Sequence, residues 1–323
     1  MAYNLISLRY SITDEEFLNL VKNQKEGTDN FSEVLVADLI PPMRLVYRKK
    51  YQAMIKANTQ FRQFMKSKYQ YHLKTYKPEV VRDFCDCLIA NKFEAEAENR
   101  DSVEQLNDDN LGLTLQDIFA AGTDTTRMTL GWLVLILATY PDIQQKLRDE
   151  IDSVVDIGEV TRLEHKSKLN YVQAFVSETL RFRPVVPLGV PHKAIIDSTI
   201  AGHPVPKDTP VHLHENAILN DPRHWDKPEE FRPERFLDKN GKHNSRVPAF
   251  VAFGIGRRAC LGEKLAFTDL VLITCRLLQA TRGYEIALPD GPGSVSLHGD
   301  IDMAQGLQTV KHKMILRNLT VQN

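Results

Sequence analysis

The chain has 323 residues, 42% of them hydrophobic and 26% charged, and carries a net charge of −1. That is enough chain for one large domain or two ordinary ones, and the near-zero charge gives no global pull toward nucleic acid. The longest apolar run, residues 130–140, is too short to span a bilayer, and residues 1–10 lack the basic region and apolar core of a secretion signal.

The first half is poor in Gly and Pro and reads as helical. Charge is segregated along it. Residues 44–77 carry ten Lys or Arg and no acid, and residues 79–109 are dominated by Asp and Glu. Two readings stay open: solvated helices with a linker, or a basic face for a membrane surface or an acidic partner. Residues 93–110 are polar and acidic enough for a loose connector. Two of the four cysteines, Cys85 and Cys87, form a C-x-C here, and Cys260 and Cys275 stand alone further on. Without a C-x-x-C pair neither a structural zinc site nor a disulfide scaffold is expected, and four reduced thiols are.

Residues 114–140 predict one long helix, about 40 Å from end to end, with Thr114 and Asp117 as its capping box. Pro141 suits the first turn of a second helix, PDIQQKLRDEIDSVV. A third runs from about Leu169 to Arg183 and stops at Pro184. Beyond it Pro and Gly become frequent. Short alternating runs such as PVHLH, residues 210–214, predict small strands and turns to about Glu215. A coil follows over residues 220–236, then a last helix from about Cys260 to Ala280, and a β-like tail. The expected fold class is mainly α with minor β, in a single domain over residues 1–323.

Four constellations carry chemistry. FGIGRRACLG, residues 253–262, places Cys260 where a glycine-rich loop meets a helix start. Backbone N–H groups and the positive end of a helix there favour a thiolate, which is a nucleophile or a metal ligand. Gly254, Gly256 and Gly262 let backbone approach a flat ligand, and Arg258 reaches toward an anionic edge. AGTDTT, residues 121–126, sets Asp124 and two threonines inside an otherwise apolar helix. A buried acid is costly unless paired or wetted, and Thr hydroxyls can bond carbonyls one turn earlier. ETLR, residues 178–181, puts Glu178 and Arg181 on one helix face. RPVVPLGVPHKA, residues 183–194, is a proline-rich connector holding His192.

FGIGRRACLGEKLA resembles the haem-binding signature of the cytochrome P450 family, F-x-x-G-x-R-x-C-x-G, with every fixed position filled. AGTDTT, ETLR and PERF (residues 233–236) resemble further motifs of that family, in the family's order. The resemblance implies the cytochrome P450 fold, here without its N-terminal sheet strands, early helices and W-x-x-x-R segment. It implies haem b as cofactor and metal centre, with Cys260 as the axial thiolate ligand. Arg258 and His192 would meet haem propionates, and Phe253 would stand beside the ligand. Ala121 and Gly122 would form the groove over the haem. Asp124 and Thr125 would be the acid–alcohol pair that delivers protons in oxygen activation. Glu178, Arg181 and Arg235 would form a buried structural network. Val185, Val186 and Leu188 would face substrate.

PHKAIIDSTIAG, NLISL and DNFSEVLVADLIPP are similar to the microsomal branch that holds the steroid 17-alpha-hydroxylases. There Asn30 falls where an asparagine bonds a steroid oxygen. One departure stands out: where the family often has Asn and His after the PVHLH strand, this chain has His214 and Leu219. The implied activity is a haem-thiolate monooxygenase acting on a steroid or similar lipophile. Electrons would come from NADPH through a flavoprotein reductase, with cytochrome b5 as a further partner. Arg257, Arg258 and Lys264 make the cysteine side positive, which suits an acidic partner. A monomer at the endoplasmic reticulum membrane is implied, without a transmembrane anchor in this chain and without nucleic acid. Three alternatives remain: a fragment that holds no haem, a xenobiotic-oxidising relative, and an isomerase or dehydratase that needs no reductase.

Overall fold

An apolar side chain at every fourth position organises the N-terminal helices. The structure is a computed structural model that describes residues 11, 13–29, 40, 42–297, 300–302, 306–308 and 313–318. The chain divides into two compact units, residues 1–124 and 125–323. Asn30 lies outside the described residues.

In the first unit, α1 covers Glu15–Asp29, α2 Met43–Val46 and α3 Arg48–Thr75. Ala57, Phe61, Met65 and Tyr69 line one face of α3 and are all buried. Helix α4, Phe84–Ala97, adds Cys85 and Ile89; α5, Asp108–Thr139, adds Leu111, Leu115 and Phe119. Each Leu, Ile, Met or Phe among them stabilises by about 1.5–3 kcal/mol when fully buried. Phe61 meets Phe119 edge-on with ring centres 5.7 Å apart.

The segregated charges come together in space. Lys66 pairs with Asp109 at 2.6 Å, Lys68 with Glu16 at 2.9 Å and Lys92 with Asp108 at 2.5 Å. The pattern is that of solvated helices with complementary acidic neighbours. Residues 93–110 are not a loose connector, because α4 continues through Ala97 and a 3₁₀ turn spans Val103–Leu106 before α5 begins. Nor is there a capping box at Thr114 and Asp117. Asn107 caps α5 by accepting the Asn110 N–H at 2.9 Å, while the Thr114 hydroxyl donates back to Asn110 O at 2.9 Å inside the helix. Between α3 and α4, buried His72 forms a clip. Its Nδ1–H donates to Lys68 O at 3.0 Å, since a carbonyl only accepts, and Nε2 lies 2.8 Å from the α4 cap Asp83.

In the second unit, Trp132, Leu133, Leu135, Ile136 and Leu137 of α5 are buried around most of the helix. They join a core with α6, Pro141–Val154, and α7, Asn170–Phe182. Both helices match the sequence expectation closely, one opened by Pro141 and the other ended before Pro184. Phe231 ties them together, stacked on Tyr140 at 5.5 Å and edge-on to Phe175 and Phe182.

Four two-stranded antiparallel ribbons make up the described sheet structure. Strands β1, His192–Lys193, β2, Ser198–Ile200, β3, His203–Val205, and β4, Pro210–Val211, pair as β1–β4 and β2–β3. Of PVHLH only Pro210 and Val211 are paired. A short α8, Glu215–Leu219, follows, then the PERF 3₁₀ turn and α9, Glu263–Ala280. Helix α9 starts later than expected because residues 260–262 belong to the turn before it. Strand β5, Tyr284–Ala287, pairs with β8, Ile315–Asn318, and β6, Asp300–Asp302, with β7, Gly306–Gln308. Buried Arg148 clamps this tail. It donates to Leu278 O at 2.5 Å, Thr281 Oγ1 at 3.1 Å, Tyr284 O at 2.8 Å and Gln144 Oε1 at 3.2 Å.

Candidate functional site

The cysteine loop is built by two residues with left-handed backbone. Gly254 has φ +73° and Gly256 φ +70°. That region is cheap only for glycine. The Gly254 N–H donates to Val251 O at 2.9 Å, and the Cys260 N–H returns to Phe253 O at 2.8 Å, closing the loop over the 3₁₀ turn Gly256–Arg258. Gly262 serves differently. Its φ is an ordinary −92°, and a Cβ there would meet Cys260 Sγ only at an ordinary contact distance of 4.0 Å. It also caps α9, whose N-terminal amides carry partial positive charge.

Exposure divides the cysteines into two pairs, with Cys87 and Cys260 exposed. Cys85 and Cys275 are buried, and burial pushes both thiols up to about 12. Cys260 is exposed at the crest of its loop. Arg258 and His192 are exposed too, and neither side chain makes an ion pair or hydrogen bond among the described residues. An accessible sulfur on a rigid loop, with unpaired cationic and donor groups in the same unit, fits a flat metal-bearing ligand with anionic edges. Phe253 is half-buried against the core. Arg257 and Lys264 are exposed on the same stretch.

In α5, Ala121 is exposed and residues 122–126 are half-buried. Back-bonding occurs as expected: the Thr123 hydroxyl donates to Phe119 O at 2.7 Å and that of Thr129 to Thr125 O at 2.8 Å. The helix nevertheless stays α throughout Asp108–Thr139. Asp124 ends the first unit and Thr125 begins the second.

Helix α7 is buried at every position from Ala174 to Phe182. There Glu178 and Arg181 form a sealed bidentate pair, Nε to Oε2 at 2.7 Å and Nη2 to Oε1 at 2.8 Å. Arg235 Nε stands 3.4 Å from the same carboxylate, and the Arg232 N–H donates to it at 2.9 Å. Arg181 also donates to Leu219 O and Pro228 O, both at 2.9 Å, and stacks near Trp225. Burial pulls Arg235 below its usual pKa, and Glu178 opposes that fall. The three residues thus bind α7 to the segment that leads toward the cysteine loop.

Of the expected pocket residues, Val185 is buried in the main core, Val186 packs against it, and Leu188 is half-buried. Sequence reasoning missed three neighbours. Gly189 has φ +62°, and a Cβ on it would stand 2.8 Å from Leu213 O, so no other residue fits the turn. His243 Nε2 lies 2.9 Å from the Ser177 hydroxyl, with burial pushing its pKa down to about 4. Glu215, first residue of α8, is buried, and that burial pushes it up to about 7. The only signal for Glu215 was an acid in the place where apolar alternation ends.

The Cytochrome P450 family profile matches residues 2–287. Steroid 17-alpha-hydroxylase/17,20 lyase of Gallus gallus is 33% identical over 95% of this chain and 60% of its own length. The protein of the same name from Rana dybowskii is 33% identical over 90% of the chain and 56% of its length. Cytochrome P450 1A1 of Canis lupus familiaris is 31% identical over 88% and 54%. The chain therefore spans 54% to 60% of the length of these relatives. With a family match over most of its length and a mainly α fold, the chain belongs to the cytochrome P450 family.

Proposed function

We propose that this chain is the haem-thiolate part of a monooxygenase that inserts one oxygen atom of O₂ into a lipophilic substrate, a steroid in the 17-alpha-hydroxylase manner. The observation that carries the reading is the exposed Cys260 on its glycine-shaped loop at the start of α9. Haem, when bound, supplies dioxygen activation and the oxidising chemistry. Cys260, at the start of α9, would be the residue that ligates it. Arg258 and His192 would anchor its carboxylates, and Phe253 would shield the sulfur. Ala121 and Gly122 would give the groove above the haem. Asp124 and Thr125 would hold and pass protons along α5. Val185, Val186 and Leu188 would shape the substrate side, with Asn30 as a polar contact. One folded domain over residues 1–323 would carry all of these groups.

NADPH electrons would arrive through a flavoprotein reductase, with cytochrome b5 as a second partner, on the face where Arg257, Arg258 and Lys264 are exposed. The proposed setting is the endoplasmic reticulum and the proposed state a monomer. No helix among the described residues is long and apolar enough to cross a membrane.

Thr125→Ala tests the proton role. Coupling of NADPH use to product should fall roughly tenfold or more, with peroxide released, in line with the weight of a positioned proton donor. Full coupling in that variant would falsify the assignment. A second reading follows from the partial span of the relatives: a chain that holds no haem by itself. A CO-difference spectrum of the purified, haem-supplied chain separates the two. Sequence similarity to Cytochrome P450 1A1 keeps a xenobiotic substrate in play, and a steroid-binding titration of the haem spectrum decides between substrates.

A further inference from the structure

Glu215 is a buried acid that the proposed reaction leaves unused. It is 6% exposed and makes no side-chain hydrogen bond or ion pair among the described residues. Its Oε1 faces two backbone turns at once. A Cβ built on Gly189 would lie 3.4 Å from that oxygen, and one built on Gly254 4.0 Å from it. Both glycines are left-handed, at φ +62° and +73°. Gly254 opens the Cys260 loop, and Gly189 sits in the segment that leads to His192. A single carboxyl oxygen therefore faces the open Cβ side of both turns.

Neither glycine amide is free to meet it. The Gly189 N–H already donates to Val186 O at 3.1 Å, and the Gly254 N–H to Val251 O at 2.9 Å. An ionised carboxylate in that place finds no donor in either turn, and burial favours the neutral form. Burial alone pushes Glu215 up to about 7, and no neighbouring charge offsets it. The charged groups on the surrounding segments are directed elsewhere. His212 and His214 are exposed, and His214 Nδ1 accepts the Ala217 N–H at 3.1 Å. Arg257, Arg258 and His192 are exposed, Lys193 pairs with Asp208 at 2.7 Å, and Arg181 of α7, which donates to Leu219 O of α8, is paired with Glu178 at 2.7 Å.

We propose that Glu215 is a positioning residue for the Cys260 loop, holding the Gly254 and Gly189 turns in place when neutral and loosening them when ionised. The sign follows from the raised value. The folded protein prefers the protonated acid, so the loop is tightest in mild acid and loosens as pH rises through about 7. For Cys260 ligation this rests on the haem-thiolate reading; for the loop itself it does not.

The test has two arms, both on the full chain. In the first, amide hydrogen exchange of residues 251–260 is followed from about pH 6 to about pH 8 and corrected for the intrinsic pH dependence. Protection should fall about tenfold across that range in the wild type and stay level in Glu215→Gln, which keeps the shape and removes the charge. Equal falls in both proteins, or none in the wild type, overturn the proposal. If Glu215→Gln does not fold, Glu215→Met takes its place. In the second arm, the haem-supplied chain is reduced under CO. The thiolate-type Soret band should lose intensity over the same pH range in the wild type but not in the variant. If neither protein shows a thiolate band at any pH, the haem-thiolate reading fails, and the exchange arm still decides the role of Glu215.

Discussion

Cys260→Ala abolishes the red-shifted Soret band that a thiolate gives to the ferrous–CO complex of the haem-supplied chain. The expectation is all-or-none because the other cysteines cannot substitute. Cys85 lies in the first unit's core and Cys275 inside α9, both with thiols pushed up by burial. Cys87 is exposed, but it lies in α4 and not on a glycine loop before a helix start. The variant should fold normally. Cys260 is exposed, and surface substitutions of this kind stay within about 0.5 kcal/mol. Its backbone N–H, which closes the loop on Phe253 O, is retained. Lost spectrum with unchanged unfolding midpoint is the expected pair of results. An unchanged spectrum removes Cys260 as the ligand and with it the proposed mechanism.

Glu178→Ala is the substitution with the largest expected cost in stability. The carboxylate is sealed from solvent and faces two guanidinium groups, Arg181 and Arg235. Removing one partner of a buried pair costs about 3–5 kcal/mol, because the remaining charge stays buried without compensation. Here two charges are left. Domains have only about 5–15 kcal/mol to lose, so Glu178→Ala should populate unfolded chain at room temperature. Urea unfolding followed by circular dichroism measures the loss. Glu178→Gln, which keeps the acceptor for the Arg232 N–H, should fall between variant and wild type. A midpoint for Glu178→Ala within error of the wild type would show that the network contributes little.

How much of this was readable in the chain depended on distance along it. The cysteine loop is local: Gly254, Gly256, Arg258 and Cys260 define one turn, and the turn formed as their spacing required. ETLR announced its own pair through i,i+3 geometry, and PERF supplied the second arginine. Glu215 could not be read that way. Its meaning arises only when Gly189 and Gly254, far from it in sequence, are folded against one carboxyl oxygen. The acidic stretch before α5 was misjudged for a related reason. Its composition says solvated and loose, but Lys66 and Lys92 supply the charges that let Asp108 and Asp109 open a helix. Thr114 was mistaken for a cap because a hydroxyl that can cap a helix can equally bond back within one, and Asn107 had already taken the end.

Polar contacts of two kinds hold the chain. Around α3 and α5 the partners are ions near the surface: Lys66 with Asp109, Lys68 with Glu16. Across α6, α9 and the C-terminal tail, Arg148 is held by carbonyl, amide and hydroxyl oxygens that carry no net charge. Dissolved ions screen the first kind over a distance that shrinks to about 3 Å at molar salt. They have little purchase on the second, which is buried. Ionic strength therefore acts on the exposed ion pairs of both units, Arg282 with Asp152 and Arg317 with Glu285 among them, and leaves the buried Arg148 clamp in place.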